Sequence, residues 1–342
     1  MSDPGGTMRV VAATTRIDPA ALAGILGRQL DVITRGQARA AGVTDKALRH
    51  RLRPGGPWRA LLPAVYIAVT GTPSRAQQEM AAQLYGGPES VITGPAALPC
   101  HRIRAPQSRF VDVLVPLGRQ RQDAGFARLH RTSRMPERMY RYGPLRYALA
   151  PRAVADTARG LTSLRDVRAV VADAVQRGTC GVPELAAELA AGPSAGSALF
   201  REALSDVADG IRSAAEGDLK DLLRKSGLPM PLFNPMVFDG DTFVACPDAW
   251  WPELGVAVEV DSREWHLSPQ DHARTLRQRR RMGNYLIVVL PFTPGQIRTQ
   301  PRQVIEEIRR TLESAAGRPP LGLRTVPAET VSQRRAGPAG RR

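Results

Sequence analysis

Residues 248–266 read DAWWPELGVAVEVDSREWH, and the second half of this stretch predicts a β-strand over residues 256–262. Side chains alternate between the two faces of a strand, so the valines at every second position share one face and can pack in a core. Glu259 and Asp261 then share the opposite face. Asp248 lies on the preceding element, from which its carboxylate can reach that same face. The stretch therefore predicts an apolar core on one side of the strand and a cluster of acids on the other.

This acid cluster predicts a metal site. Three carboxylates that converge repel one another unless a cation lies between them. Oxygen ligands of this kind suit Mg²⁺ or Mn²⁺. We therefore expect magnesium or manganese as the cofactor, with Asp248, Glu259 and Asp261 as its ligands. The alternative is a surface strand whose carboxylates are simply solvated.

The surrounding segments extend the pattern. A helix upstream begins after Ser213 and carries Glu216, and His266 follows the strand. Histidine titrates near neutral pH, so His266 is a candidate base. An apolar strand, YLIVVLPF, is predicted over residues 285–292. Between His266 and this apolar strand, a predicted helix carries a row of arginines that suits a phosphodiester backbone. The row consists of Arg274, Arg277 and Arg281.

This ordered set of segments resembles the PD-(D/E)XK nuclease superfamily, and in particular its branch related to very-short-patch-repair endonucleases. The resemblance covers residues 198–312. It implies a restriction-endonuclease-like α/β domain with a mixed sheet flanked by helices, and a metal-dependent hydrolysis of DNA phosphodiester bonds. It also implies that Asp248 and Glu259 bind the metal and that Glu216 belongs to the catalytic set.

One position departs from that pattern. Asp261 stands where the superfamily has a lysine, which orients the attacking water and stabilises the transition state. An aspartate can bind a metal or act as a base, but it cannot supply that positive charge. Lys220, one turn beyond Glu216, is predicted to be a solvated surface residue rather than a replacement. Two functions therefore stay open: a metal-dependent endonuclease, and a non-catalytic regulator that keeps a degenerate nuclease fold for binding.

The N-terminal part carries a second pattern. Residues 20–69 predict two helices, a turn, a third helix and a hairpin. Thr34 is a candidate N-cap for the second helix, which ends at Gly42, and Thr44 is a candidate N-cap for the third helix over residues 45–53. This third helix is short and basic, as recognition helices are. Its candidate DNA-binding residues are Lys46, Arg49, His50, Arg51 and Arg53.

Residues 34–68, TRGQARAAGVTDKALRHRLRPGGPWRALLPAVYIA, resemble the winged-helix domain of AbiEi-type antitoxins and transcriptional regulators. The resemblance implies DNA binding, often at the protein's own promoter, and a toxin or a second copy of the chain as a partner. Ala64 departs from the pattern, since the wing commonly has a glycine there. The alternative is a three-helix bundle with a solvated basic face.

Composition agrees with DNA as the partner without deciding it. The formal net charge is +16 over 342 residues, which favours binding to polyanions. All but three of the cationic residues are arginine, however, which is also the bias expected from a GC-rich genome. The odd number of widely spaced cysteines predicts neither a disulfide framework nor a zinc site. No signal-peptide pattern and no membrane-length apolar run occurs, so we expect a cytoplasmic protein without a membrane partner.

The predicted fold class is a multidomain α/β protein. A Gly- and Pro-containing segment near residue 192 marks a domain boundary. We expect a flexible N-terminus at residues 1–17, a winged helix at 18–71, an antitoxin-like α+β middle domain at 72–195, a nuclease-like domain at 197–316 and a disordered basic tail at 317–342.

Overall fold

The computed structural model describes residues 17–261 and 269–327. The chain is a mixed α/β protein, as predicted, with twelve α-helices and several sheets in those ranges. It divides into two compact units, the first made of Met1–Cys100 and Gln107–Leu149 and the second of His101–Pro106 and Ala150–Arg342. Helices that we expected in the middle domain thus belong to the second unit. In the described ranges, no helix has both the length and the apolar character needed to cross a membrane.

The first unit opens with three helices and a small sheet. Its elements are α1 (Pro19–Arg28), β1 (Val32–Thr34), α2 (Arg35–Ala40), α3 (Asp45–Arg51), β2 (Arg59–Leu62) and β3 (Val65–Ile67). The strand order is β1-β3-β2, with both neighbours antiparallel to β3. Their apolar faces enclose one core, built from Leu22, Ile33, Ala38, Val43, Leu48, Trp58 and Tyr66.

Local chemistry sets the helix boundaries in this region. The Thr34 hydroxyl accepts a hydrogen bond from the Gln37 amide at 3.2 Å, and the Thr44 hydroxyl accepts one from the Ala47 amide at 3.2 Å. Both predicted N-caps are therefore confirmed. Gly42 ends the second helix with a φ of +82°. Ala64 has a φ of +59° in the β2–β3 turn, a conformation that glycine adopts at no steric cost.

The rest of the first unit is a five-stranded mixed sheet covered by one long helix. Its elements are α4 (Arg75–Gly86), β4 (Val91–Thr93), β5 (Val111–Pro116), β6 (Ala127–Thr132), β7 (Met139–Tyr142) and β8 (Leu145–Ala148). The strand order is β6-β5-β4-β8-β7. The Tyr147 hydroxyl donates to the buried Glu79 carboxylate at 2.7 Å, which ties β8 to α4.

The second unit begins with five helices and continues into two small sheets. The helices are α5 (Ala150–Gly160), α6 (Leu164–Gln176), α7 (Val182–Ala191), α8 (Ala198–Ala208) and α9 (Ala214–Ser226). There follow β9 (Leu232–Phe233), β10 (Met236–Asp239), β11 (Thr242–Ala245), β12 (Ala249–Trp251), β13 (Val256–Val260), α10 (Pro269–Asn284), β14 (Val288–Phe292), α11 (Pro294–Thr299), α12 (Pro301–Ala315) and β15 (Arg324–Val326).

The predicted strand at residues 256–262 is β13, at the centre of the sheet ordered β14-β13-β12-β9. It runs parallel to β14 and antiparallel to β12, so the sheet is mixed. Val256 and Val258 pack in one core with Ile308 of α12, whereas Ala257 packs in another with Met282 of α10. The predicted alternation is confirmed, and helices cover both faces of the strand.

One predicted segment is wrong. We expected a disordered tail from residue 317, but β15 pairs antiparallel with β10, in a sheet ordered β11-β10-β15. The Trp250 indole donates to the Thr325 hydroxyl at 3.1 Å, and Leu321 and Leu323 pack against the same core. These three inward residues are spaced two apart, a pattern too short to stand out beside the prolines and arginines of this tail. Residues 328–342 lie outside the described ranges, as does most of the predicted flexible N-terminus.

Candidate functional site

Glu216 lies in the first turn of α9, where its position is fixed by the helix cap. The Ser213 hydroxyl accepts a hydrogen bond from the Glu216 amide at 3.1 Å, as expected for the predicted N-cap. The Glu216 side chain is buried, and its Oε2 accepts hydrogen bonds from the Arg212 amide at 2.8 Å and from the Asn234 side chain at 2.5 Å. These donors hold the carboxylate inside the protein.

Asp248 immediately precedes β12 and faces the end of β13. Its Oδ2 accepts a hydrogen bond from the Val260 amide at 2.6 Å. Its carbonyl oxygen accepts one from the Asn234 amide at 3.1 Å. Asn234 therefore contacts both acids, its side chain holding Glu216 and its backbone holding Asp248. Asn234 is buried, with a left-handed φ of +49° that asparagine tolerates better than most residues.

Glu259 and Asp261 both meet α10. The Gln278 side chain donates to Glu259 Oε1 at 3.1 Å. The Arg279 guanidinium forms a charged hydrogen bond with Asp261 Oδ2. The two strand acids therefore have different partners, because Glu259 accepts from a neutral amide and Asp261 from a cation.

Three of the predicted acids act as one electrostatic unit. Burial raises the pKa of Glu216. Burial raises the pKa of Asp248 well above its ordinary value, and the charges of Glu216 and Glu259 raise it further. Burial likewise raises the pKa of Glu259 to about 7, with smaller increases from the charges of Asp261 and Glu216. These shifts place Asp248 within electrostatic range of both Glu216 and Glu259.

The chemistry of these groups fits a hard divalent cation, because carboxylate oxygens that repel one another are stabilised by it. The arrangement is not a preformed coordination shell: within residues 17–261 and 269–327, no three His, Cys, Asp or Glu side chains are grouped at metal-binding geometry. Asp261 pairs with Arg279, and its charge still raises the pKa of Glu259.

Helix α10 has an exposed basic face, as predicted, and a second face that contacts the acids. Arg277 and Arg281 are exposed, and the Arg281 guanidinium lies over the Phe243 ring at 5.2 Å from its centroid. The side chains that contact the acids are Gln278 and Arg279. A helical wheel anchored on the buried Met282 would have placed both on the inward face, since they precede it by four and three residues. His266 and the Arg274 side chain lie outside the described residues.

The sequence analysis missed the contact of Arg212 near the acids and assigned the wrong environment to Lys220. The Arg212 guanidinium donates to the Cys246 thiol at 3.3 Å, and burial raises the pKa of that thiol. Lys220 is not a solvated surface residue, since its ammonium group donates to Asp206 at 2.8 Å and to Asp209 at 2.7 Å. Burial beside two carboxylates keeps Lys220 away from the acid cluster and gives it a structural role.

The exposed face of α3 in the first unit is cationic. The side chains on this surface are Lys46, Arg49 and His50, and the exposed Arg53 follows the end of the helix. Arg51 is an exception to the prediction, because its guanidinium lies over the Trp58 ring at 5.5 Å from the centroid and is partly buried there. Asp45 pairs with Arg35 and Arg39, whose hydrogen bonds lower the pKa of that carboxyl to about 2. The acid at the start of α3 is thereby neutralised by α2.

Comparison with known proteins finds two relatives that are similar in sequence, and neither has a described function. No family model matches the chain. It is 26% identical over 168 residues to two proteins of Mycobacterium tuberculosis, both described as uncharacterized, one from strain CDC 1551 / Oshkosh and one from strain ATCC 25618 / H37Rv. The aligned region covers 48% of this chain and 56% of each relative, so the chain spans about half the length of the curated relatives it matches.

The raised pKa values predict how stability depends on pH in the absence of metal. Glu259 has an ordinary pKa of 4.5 and a folded pKa of about 7, so between these values the unfolded chain releases a proton that the folded chain retains. The free energy of unfolding should therefore fall as pH rises through this window, by up to about 1.4 kcal/mol per pH unit from this group. Asp248 and Glu216 shift in the same direction.

Urea unfolding in EDTA at pH 5, 6, 7 and 8 measures this effect. Glu259→Gln is the matched control, because it cannot ionise and should flatten the profile. A wild-type protein that gains stability steadily from pH 5 to pH 8 would contradict the raised pKa values.

Proposed function

We propose that this chain is a cytoplasmic DNA-binding protein whose second unit hydrolyses DNA phosphodiester bonds with Mg²⁺ or Mn²⁺. The observation that carries the proposal is the convergence of Glu216, Asp248 and Glu259 from three separate elements. Burying mutually repelling carboxylates costs free energy. A bound cation offsets that cost, and a phosphodiester is a substrate that such a cation can polarise.

In this proposal Asp248 and Glu259 hold the metal, and Asn234 bonds to both Glu216 and Asp248. When bound, the cation lowers the pKa of a water molecule and neutralises charge on the phosphate. Gln278 orients the Glu259 carboxylate, since it donates to one of its oxygens. Asn234 fixes the spacing of Glu216 and Asp248 through its two hydrogen bonds. His266 stays a predicted base.

We assign to Arg279 the positive charge that the superfamily's lysine supplies. Asp261 occupies the lysine position and pairs with this guanidinium. The charge of Arg279 also lowers the pKa of Glu259, so it acts on the acid cluster. A guanidinium stays protonated at neutral pH and can stabilise charge on a phosphate, although it cannot deprotonate a water molecule. Asp261 then positions a cation instead of binding the metal.

The first unit is proposed to bind DNA as a winged helix. Three helices followed by a hairpin, with the second and third helices joined at Gly42, support this assignment. The exposed cationic face of α3 is the predicted recognition surface. A regulator with this module could take a toxin or a second copy of the chain as its partner.

A second function has an observation in its favour. Asp261 stands where the superfamily has a lysine, and no group of three ligands stands preformed in the described ranges. Both facts favour a non-catalytic regulator that keeps the nuclease fold for binding. The two functions differ in whether metal-dependent cleavage occurs.

A plasmid-nicking assay on the full chain tests the proposal. Supercoiled DNA is incubated with purified protein and Mg²⁺ or Mn²⁺, with EDTA as the control. Nicking that requires the metal supports the nuclease. DNA binding without nicking in either metal supports the regulator instead, and absence of both would overturn the proposal.

The α3 surface makes a separate prediction for DNA binding. Arg49→Ala should weaken binding about tenfold and reduce the slope of log K against log salt by about one, because one phosphate or base contact is lost. Arg28→Ala is the matched control, since it removes the same charge from an exposed position at the end of α1. A filter-binding titration at several salt concentrations measures both. Equal effects of the two substitutions would show that α3 is not the recognition surface.

A further inference from the structure

A cavity of about 360 Å³ opens within the first unit, apart from the α3 surface. The start of α2, the β2–β3 turn, the end of α4, the segment after β5 and strand β8 contribute to its walls. Four arginines line it, and none of its lining residues is acidic. The arginines are Arg35, Arg119, Arg121 and Arg146. Such a wall carries concentrated positive charge.

Among the described residues, carboxylates offset one of these four charges. Arg35 pairs with Asp45 at 2.9 Å. Of the other three, Arg121 donates to the Tyr85 carbonyl at 2.9 Å and lies over the Tyr85 ring, and Arg146 donates to the carbonyl of Pro88. No ion pair of Arg119, Arg121 or Arg146 is found in the described ranges. Three guanidinium groups therefore bring net positive charge to one concave surface.

Two of these arginines have an Nε atom without an acceptor in the described part of the chain. The Nε atoms of Arg119 and Arg146 are buried and have no hydrogen-bond partner within residues 17–261 and 269–327. Burial and the nearby charge of Arg141 also lower the pKa of Arg146. An unpaired buried donor costs free energy, and so does a cation held near other cations. A bound anion would offset the repulsion between the cations.

The lining residues and the volume of the cavity indicate which class of anion fits it. Guanidinium forks match the oxygens of a phosphate, which they bind with charged, bidentate hydrogen bonds. The volume is larger than inorganic phosphate needs and lies at the small end of organic ligand sites. Leu84, Pro88 and Ala64 supply apolar surface between the arginines. A phosphate attached to a compact organic group fits this combination.

We propose that this cavity binds a phosphate ester of about nucleotide size, with Arg119, Arg121 and Arg146 contacting the phosphate. The site is distinct from the α3 surface and from the acid cluster of the second unit. The same chemistry is offered by a free mononucleotide and by the 5′-phosphorylated end of a DNA strand, and the experiment separates these sources.

Calorimetric titration of the full chain tests the proposal with three probes: deoxyadenosine 5′-monophosphate, inorganic phosphate and a 5′-phosphorylated hexanucleotide. We expect saturable binding of the monophosphate, tighter than that of inorganic phosphate. Arg119→Gln should weaken it at least about tenfold, because a charged hydrogen bond is lost. Arg119→Lys keeps the charge without the fork and should give an intermediate affinity. Arg128→Gln is the matched control, an exposed arginine of the same unit that does not line the cavity.

The outcomes are distinct. Monophosphate binding that is as tight as hexanucleotide binding assigns a free ligand, whereas tighter hexanucleotide binding that Arg119→Gln weakens assigns a strand end. Equal losses in Arg119→Gln and Arg128→Gln would overturn the site, as would the absence of saturable binding to every probe. Inorganic phosphate binding as tightly as the monophosphate would overturn the assigned ligand size. If Arg119→Gln unfolds by circular dichroism, Arg121→Gln carries the same comparison.

Discussion

Asp248→Asn should abolish the rise in melting temperature that Mg²⁺ or Mn²⁺ produces in the wild-type protein, and should lower metal-dependent DNA cleavage by on the order of a thousandfold or more. In the wild type, metal at a hundredfold excess over its Kd should stabilise the fold by about 2.7 kcal/mol. The substitution keeps the shape of the side chain, and an amide oxygen can still accept the hydrogen bond from the Val260 amide. What it removes is the charge that we propose binds the metal.

The same substitution should act in the opposite direction without metal. The pKa of Asp248 is raised by burial and then by the charges of Glu216 and Glu259, so its ionised form is unfavourable in the folded protein. The Asp248→Asn side chain cannot ionise, and the repulsion is relieved. We therefore expect the variant to be more stable than the wild type in EDTA at pH 8. A residue with only a packing role would not stabilise the protein when it is replaced.

Melting curves with EDTA, Mg²⁺ and Mn²⁺, together with plasmid nicking, measure both effects. Asp239→Asn is the matched control, since it removes an acid from the exposed end of β10. It should keep the wild-type metal shift and activity. If Asp248→Asn keeps the full metal shift, Asp248 is not a ligand and the metal site is wrong.

The acids could be found in the sequence because local rules place them. The alternation of β13 puts Glu259 on the face opposite its buried valines, and the Ser213 cap fixes the turn of α9 that carries Glu216. Thr34 and Thr44 mark helix starts for the same reason, as each side chain bonds to an amide three residues away. These features depend on neighbours in the chain, which a sequence displays directly.

The partners of the acids could not be found in this way, because they depend on packing between distant segments. Asn234 contacts Glu216 from a loop, and its neighbours in the chain give no sign of it. Gln278 and Arg279 face inward because Met282 is buried, whereas the arginine spacing of α10 favoured another face. β15 has three residues, too few for a period to be recognised, and its pairing with β10 joins segments about ninety residues apart.

Arg168 is the strongest case of a residue whose role the sequence hides. It lies in α6 and is 2% exposed, although arginine is rarely buried to this extent. Its Nε donates to Asp206 of α8 at 2.6 Å, and its two terminal nitrogens donate to Asp221 of α9 at 2.5 and 3.2 Å. Gly217 makes room for it, because a Cβ there would lie 2.7 Å from the Arg168 side chain. One guanidinium thus joins three helices.

Arg168→Met should lower the free energy of unfolding by about 3–5 kcal/mol, because it leaves Asp206 and Asp221 without their main cation in a buried site. Lys220 still bonds to Asp206 and Arg224 still bonds to Asp221, so the loss falls mostly on the Oδ2 atoms of the two carboxylates. Arg165→Met is the matched control on the same helix. Arg165 is 43% exposed and pairs with Asp218 at 3.2 Å, so its loss should cost only about 0–1 kcal/mol.

Urea unfolding at pH 7 compares the two variants, and the charges can be separated from the packing by a third. Adding Asp206→Asn and Asp221→Asn to Arg168→Met removes the uncompensated carboxylates, so part of the lost stability should return. No recovery would mean that Arg168 acts through packing alone. Losses of equal size for Arg168→Met and Arg165→Met would show that the buried network does not hold α6, α8 and α9 together. Glu216 also lies on α9, so a network that holds α9 in place also holds Glu216 in the acid cluster. Arg168 lies in α6, far in sequence from the acids, and the residues around them give no sign of this contribution.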